Sequence, residues 1–184
     1  PNSSRSRSVT NGVQWASPGG AHEGRERRFD TVIPQWLDGM TWWHVYPLGF
    51  SGAEHETGAV TGVVHRLRHL ANWLDYAHDL GCHGLQLGPI FASETHGYDT
   101  TDHLHIDHRL GDERDFDALV RGCHDRGMRV LLDGVFNHVG YAHPMFQVAR
   151  AAGPDPQGAG AQAAKWFDLR WPDPAGEPEY DVFE

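Results

Sequence analysis

Two short stretches carry the side chains best suited to chemistry. The first, Glu94-Thr95-His96-Gly97-Tyr98-Asp99-Thr100-Thr101-Asp102, puts a histidine, an aromatic ring and three carboxylates on one segment that Gly97 allows to turn sharply. The second, Asp133-Gly134-Val135-Phe136-Asn137-His138, gathers Asp, Asn and His behind an apolar run. Strand alternation puts Asp133, Val135 and Asn137 on one face, with His138 opposite them or already turned into a loop. Converging Asp, Asn, His and Tyr suit a sugar, whose hydroxyls need paired donors and acceptors and whose ring needs an aromatic platform. The same residue types also cap helices and tie loops, and spacing alone does not choose between these roles.

Other chemistries find less support. Asp102-His103-Leu104-His105-Ile106-Asp107-His108 alternates like an exposed or loop-packing segment, and it offers zinc two histidines on one face without an oriented set of three ligands. Cys82 and Cys123 lack metal-ligand spacing and read as packed thiols. No G-x-G-x-x-G follows the first strand, and neither a G-x-x-x-x-G-K-[ST] loop nor a G-x-S-x-G elbow occurs. Nucleotide cradling and acyl transfer are therefore unsupported.

Both stretches must be held by strand ends. Trp42 to Leu48 reads as a strand, and Val64, Leu67, Leu70, Ala71, Leu74 and Ala77 recur at helical spacing until Gly81 offers a cap. A second strand spans Leu85 to Phe91, a polar loop runs to Asp112, and Phe116, Leu119, Val120 and Cys123 share a helical face closed by Gly127. Met128 to Phe136 is a third strand, apolar enough for burial on both faces of a parallel sheet. The order is β-α-β-α-β, repeating at roughly forty residues, which suits a (β/α)₈ barrel or an open doubly wound sheet. In either, ligands gather at the carboxyl ends of the strands, where both stretches lie.

The flanks are different. Residues 1–38 are polar, aperiodic and rich in Gly, Ser and Arg, and are expected to form a disordered tail or linker. After His138, six prolines and many Gly and Ala suggest a long irregular excursion. With 15 basic and 25 acidic residues the formal charge is −10, which argues against nucleic acid as a partner. Protonating all fourteen histidines would take it to +4. No apolar run reaches membrane-span length and no signal-peptide core opens the chain, so a cytoplasmic protein without membrane contact is expected.

From about Thr41 onward the sequence resembles the α-amylase family of glycoside hydrolases. The resemblance rests on four pieces in order: W-W-H-V-Y-P-L-G-F, G-L-Q-L-G-P-I-F-A-S, the loop H-G-Y-D-T-T-D with I-D and L-G-D-E-R-D-F after it, and D-G-V-F-N-H. Phe136, Lys165-Trp166-Phe167 and Tyr180-Asp181-Val182-Phe183 are most similar to the neopullulanase, cyclomaltodextrinase and maltogenic amylase branch.

This resemblance implies the α/β class: a partial (β/α)₈ barrel with strands one to three and their helices in residues 39–140, and the start of an inserted domain B in 141–184. It implies a retaining enzyme that hydrolyses or transfers α-glucosidic bonds in starch, maltooligosaccharides, pullulan or cyclodextrins. Tyr98 would stack on the sugar at the cleaved bond, His96 would bind its hydroxyls, and His138 its primary hydroxyl. Asp133 would hold the arginine that orients the nucleophile. The nucleophile, acid/base and third carboxylate follow strands four, five and seven, so no catalytic carboxylate lies in this chain. The segment alone is expected to be inactive and to need the rest of the barrel, in cis or from another chain.

No cofactor is required. Ca²⁺ is allowed at Asn137, although Ser51 to Gly58 lacks the Asp/Asn-rich calcium loop of that branch, and His103 stands where the family commonly has Tyr. The competing readings are a carbohydrate-binding α/β module without catalysis and a split-barrel subunit.

Overall fold

A computed structural model describes residues 12–14, 34–180 and 182–183 of the chain. In chain order the elements are β1 (Gly12–Gln14), β2 (Trp42–Val45), α1 (Pro47–Phe50), α2 (Leu67–Ala71), α3 (Leu74–Asp79), β3 (Gly84–Leu87), β4 (Phe91–Ser93), β5 (Thr100–Ile106), α4 (Glu113–Asp125), β6 (Arg129–Leu132), β7 (His138–Gly140), α5 (Pro144–Ala151), α6 (Gly158–Ala164) and β8 (Val182–Phe183).

The central sheet is parallel, in the order β2-β3-β6, with Trp42 opposite Gly84 and Gly84 opposite Arg129. Alternation divides its faces. Val45, Leu85 and Leu87, with Trp43, Val130 and Leu132, pack against Leu67, Leu70, Leu74, Ala77, Leu119 and Cys123 from the helices. Trp42, His44, Gln86, Arg129 and Leu131 fall on the other face. Gly84 belongs there because a Cβ would sit 2.4 Å from the Trp42 ring. Burial of β6 on both faces is therefore corrected: Leu131 is 45% exposed, because no layer of the described residues covers that side.

The expected first helix is broken in two at Asn72-Trp73, yet Leu67, Leu70, Leu74 and Ala77 keep one buried stripe. Gly81 ends it with φ +81°. Asp112 caps α4 in a reciprocal capping box with Asp115, and Gly127 closes it with φ +71°. Cys123 is fully buried and its thiol is pushed up to about 11 by burial, as befits an inert packed group.

Three stretches differ from their expected form. Trp42 to Leu48 is strand only to Val45, because Pro47 starts the short α1. The loop after the second strand folds back on itself as an antiparallel β4–β5 pair. The Gly/Ala/Pro stretch after His138 forms α5 and α6, since Pro144 occupies the first turn of a helix instead of interrupting one, and alanine favours helix. These helices build a second core from Val139, Phe146, Ala149, Ala163 and Phe167, with Tyr180 5.1 Å from the Phe146 ring.

β1 pairs antiparallel with both β7 and β8, so residues 12–14 lie in a strand within the segment expected to be a linker; most of the rest of that segment lies outside the described residues. No helix among the described residues is long and apolar enough to cross a membrane.

Candidate functional site

The carboxyl ends of the parallel strands gather the expected residues. The Asp133 N–H donates to the carbonyl of Leu87 at 3.0 Å, which extends the β3–β6 ladder by one residue and fixes Asp133 at the rim. Counting by twos from Arg129 and Leu131 puts Asp133 on the face turned away from the helices. Tyr98, from the β4–β5 connection, donates its hydroxyl to Asp133 Oδ2 at 3.1 Å while its ring remains 41% exposed. Burial, the bond to Asp133 and that residue's charge all push the Tyr98 phenol upward, so it stays a protonated donor.

His96 is held on both sides. Its backbone N–H donates to Asp99 Oδ1 at 3.2 Å, and the Tyr46 hydroxyl at the end of β2 donates to its carbonyl at 2.9 Å. Its Nδ1 accepts from the Tyr98 backbone N–H at 3.2 Å, which puts the proton of the neutral ring on Nε2 as a donor. The two rings lie 6.2 Å apart. Gly97 makes the turn between them with φ +92°, a conformation that L side chains rarely adopt. Asp99 is buried and also accepts from Thr95 Oγ1 at 2.6 Å, so it shapes the loop without facing a ligand.

Beneath this loop lies an anchor that sequence reasoning missed. Arg109 is fully buried and grips Asp107 twice, Nε to Oδ1 at 2.9 Å and Nη2 to Oδ2 at 2.6 Å. Its Nη2 also donates to Ser93 Oγ at 2.8 Å, and its Nη1 reaches the carbonyls of Glu54, His55 and Thr95. One guanidinium thus ties the segment after α1 to the residue preceding His96. Burial pushes the Asp107 carboxyl up, but the hydrogen bonds from Arg109, its charge and Ser93 outweigh that and hold it below the usual carboxylate range. The one available signal was the Asp-x-Arg spacing, which composition alone reads as surface charge.

His138 opens β7, half-buried, five residues beyond Asp133, and Asn137 beside it is exposed. Gly140, two residues on, approaches the Asp99 carbonyl so closely that a Cβ would lie 2.4 Å from that oxygen. β7 therefore rests against the loop that carries His96 and Tyr98.

The zinc alternative dissolves in detail. His103 Nε2 lies 2.8 Å from the Val135 carbonyl with its ring stacked on Phe136, whereas His105 pairs with Asp102 at 2.8 Å. Among the described residues, one trio of metal-capable side chains comes within 4.8 Å, His65, Asp112 and Asp115. Its carboxylates already serve Arg68 and the capping box. Neither Asp133 nor His138, the neighbours of Asn137, belongs to that trio.

A parallel α/β sheet with an exposed Tyr, a tethered His and a rim Asp beyond its carboxyl ends defines an α/β protein of the barrel or doubly wound kind, folds in which ligands gather at that end of the strands. Residues 44–181 match the model of the alpha-amylase catalytic domain. The chain is 34% identical over 173 residues to a cyclomaltodextrinase of Geobacillus thermopakistaniensis, covering 82% of this chain and 27% of that protein. It is 35% identical over 128 residues to the intracellular maltogenic amylase of Bacillus subtilis, covering 62% and 22%. Among solved structures, Eubacterium rectale Amy13B superposes with a TM-score of 0.58 at 29% identity, over 70% of this chain and 25% of that one. A MutB mutant in complex with its substrate sucrose superposes with a TM-score of 0.55 at 29% identity, over 66% and 21%.

The chain belongs to the alpha-amylase family of glycoside hydrolases. Its three parallel strands and their helices are part of the family's (β/α)₈ barrel, not an open doubly wound sheet. It spans about a quarter of the length of the curated relatives it matches.

Proposed function

We propose that this chain is the front of a retaining enzyme acting on α-glucans, in which residues 39–140 supply the first three βα units of the barrel and 141–184 begin domain B. The observation that carries this reading is the Tyr98–Asp133 hydrogen bond, which joins two strand-end loops into one polar, aromatic rim. In this reading Tyr98 offers its exposed ring to the apolar face of a glucose unit. His96 Nε2 donates to a hydroxyl of the same unit, and His138 reaches its primary hydroxyl. Asp133 presents a carboxylate to an arginine supplied by the remainder of the barrel.

The two carboxyl groups that perform retaining hydrolysis, about 5 to 5.5 Å apart in such enzymes, come in this reading from that remainder. The residues here bind, orient and shield. Metal chemistry is not required for any of these roles. An intracellular site of action fits the similarity to the intracellular maltogenic amylase of Bacillus subtilis.

The whole protein, incubated with maltooligosaccharides, cyclodextrins, pullulan and starch, is expected to release products that keep the α configuration in the first NMR spectra. Products of inverted configuration, or glucan binding without turnover, would replace this reading, the latter with a binding module.

A further inference from the structure

The face that carries His96 and Tyr98 is joined to β7 by one carboxylate. Glu94 follows β4, two residues before His96, and its Oε1 accepts a hydrogen bond from the Ala142 backbone N–H at 2.8 Å. The Glu94 N–H in turn donates to the Asp99 carbonyl at 3.2 Å, and its own carbonyl accepts from Thr57 at 2.9 Å. Gly140 completes the contact, since a Cβ there would meet the Asp99 carbonyl oxygen at 2.4 Å and Glu94 Oε1 at 2.7 Å. Val139 points into the second core, fully buried. Strand alternation therefore turns His138 and Gly140 to the other side, the side on which Glu94 and Asp99 lie.

We propose that Glu94 is a positioning residue: by gripping the Ala142 backbone N–H just past β7 it sets where His138 stands relative to His96 and Tyr98, without touching the sugar. The inference rests on the glucan reading above. A carboxylate suits the task because it only accepts and its charge strengthens the bond, whereas glutamine offers one neutral acceptor oxygen and an amide donor that repels an N–H. The same geometry explains why residue 140 is glycine. Any side chain would push β7 off the loop, and His138 with it. Glu94 is half-buried, and this desolvation together with the charges of Asp99 and Glu56 raises its carboxyl above the usual range despite the bond from Ala142. Such a group is retained at a cost in desolvation, as is common where geometry matters to a site.

The test is a double-mutant cycle in the whole protein with a maltooligosaccharide as substrate. Glu94→Gln should lower kcat/KM about tenfold, His138→Ala more, and the double variant no further than His138→Ala alone, because Glu94 acts through His138. Gly140→Ala should reproduce the Glu94→Gln loss by moving the same strand from the other partner. Amide exchange at Ala142 should accelerate in Glu94→Gln while the thermal midpoint stays near the parent value. Additive losses, or wild-type kcat/KM in folded Glu94→Gln and Gly140→Ala, would overturn the proposal. Unchanged exchange at this amide overturns it whether or not any glucan is cleaved. A parent protein that cleaves no glucan but shows the exchange effect refutes the glucan reading and leaves the clamp itself in place.

Discussion

Tyr98 donates its hydroxyl to Asp133 at 3.1 Å across 35 residues of sequence, so the loop after one strand and the end of the next share a hydrogen bond. Tyr98→Phe keeps the ring and removes this bond. The expected result is a KM for maltooligosaccharides roughly fivefold higher in the whole protein, equivalent to about 1 kcal/mol. Tyr98→Ala, which also removes the platform, should be worse; steady-state kinetics of the pair separates the two contributions.

Arg109 and Asp107 form a fully buried ion pair that also pins three backbone carbonyls. Arg109→Met would leave a buried carboxylate and three unsatisfied carbonyl oxygens, and is expected to cost about 3–5 kcal/mol in denaturant unfolding. Arg109→Met combined with Asp107→Leu should cost less than the single change, because no charge is then left unpaired. A loss below 1 kcal/mol for the single variant would contradict the anchoring role.

The legible parts of this molecule were those with a repeating or local signal. Alternation and helical spacing located all three parallel strands and the stripe Leu67, Leu70, Leu74 and Ala77, and Gly81, Gly97 and Gly127 mark turns that need positive φ. The rim residues His96, Tyr98 and Asp133 were legible from their types and places in the chain. Arg109 was not, because the Asp-x-Arg spacing reads as surface charge; beyond Asp107 its partners are Ser93 and three carbonyls that composition does not reveal. Glu94 was noticed as one of three carboxylates, but its role depends on Ala142, 48 residues away. The helices α5 and α6 were hidden by prolines, which start helices as readily as they break strands.

Acid should unfold the protein over a defined window. Burial raises the Asp107 and Asp115 carboxyls, but the hydrogen bonds and charges of Arg109 on one side, and of His65 and Arg68 on the other, outweigh it and lower both. A lowered carboxyl contributes stability that is present above its unfolded value near 4 and lost as pH falls through the folded value. Thermal midpoints followed by circular dichroism should therefore hold from these two groups down to about pH 4 and fall below it. Asp107→Asn should flatten part of that fall.

Apolar surface on the described residues is extensive. Phe50, Trp73, Tyr76 and Leu80 on the helix layer, and Leu131 on the open face of the sheet, are each more than a third exposed, and Phe50, Trp73 and Tyr76 form one edge-to-face cluster. The 184-residue chain by itself is expected to bind a hydrophobic dye and to self-associate in analytical ultracentrifugation. A sharp, reversible, monomeric melt would contradict the view that these surfaces belong against further parts of a barrel.

The central claim is that His96, Tyr98 and Asp133 form the sugar-facing rim of an α-glucan enzyme, and kcat/KM of the whole protein on a maltooligosaccharide tests it most directly. Single alanine substitutions at these three positions are each expected to lower it about a hundredfold or more with the fold retained, the scale of losing a contact made in the transition state. Wild-type turnover in all three folded variants would contradict the account.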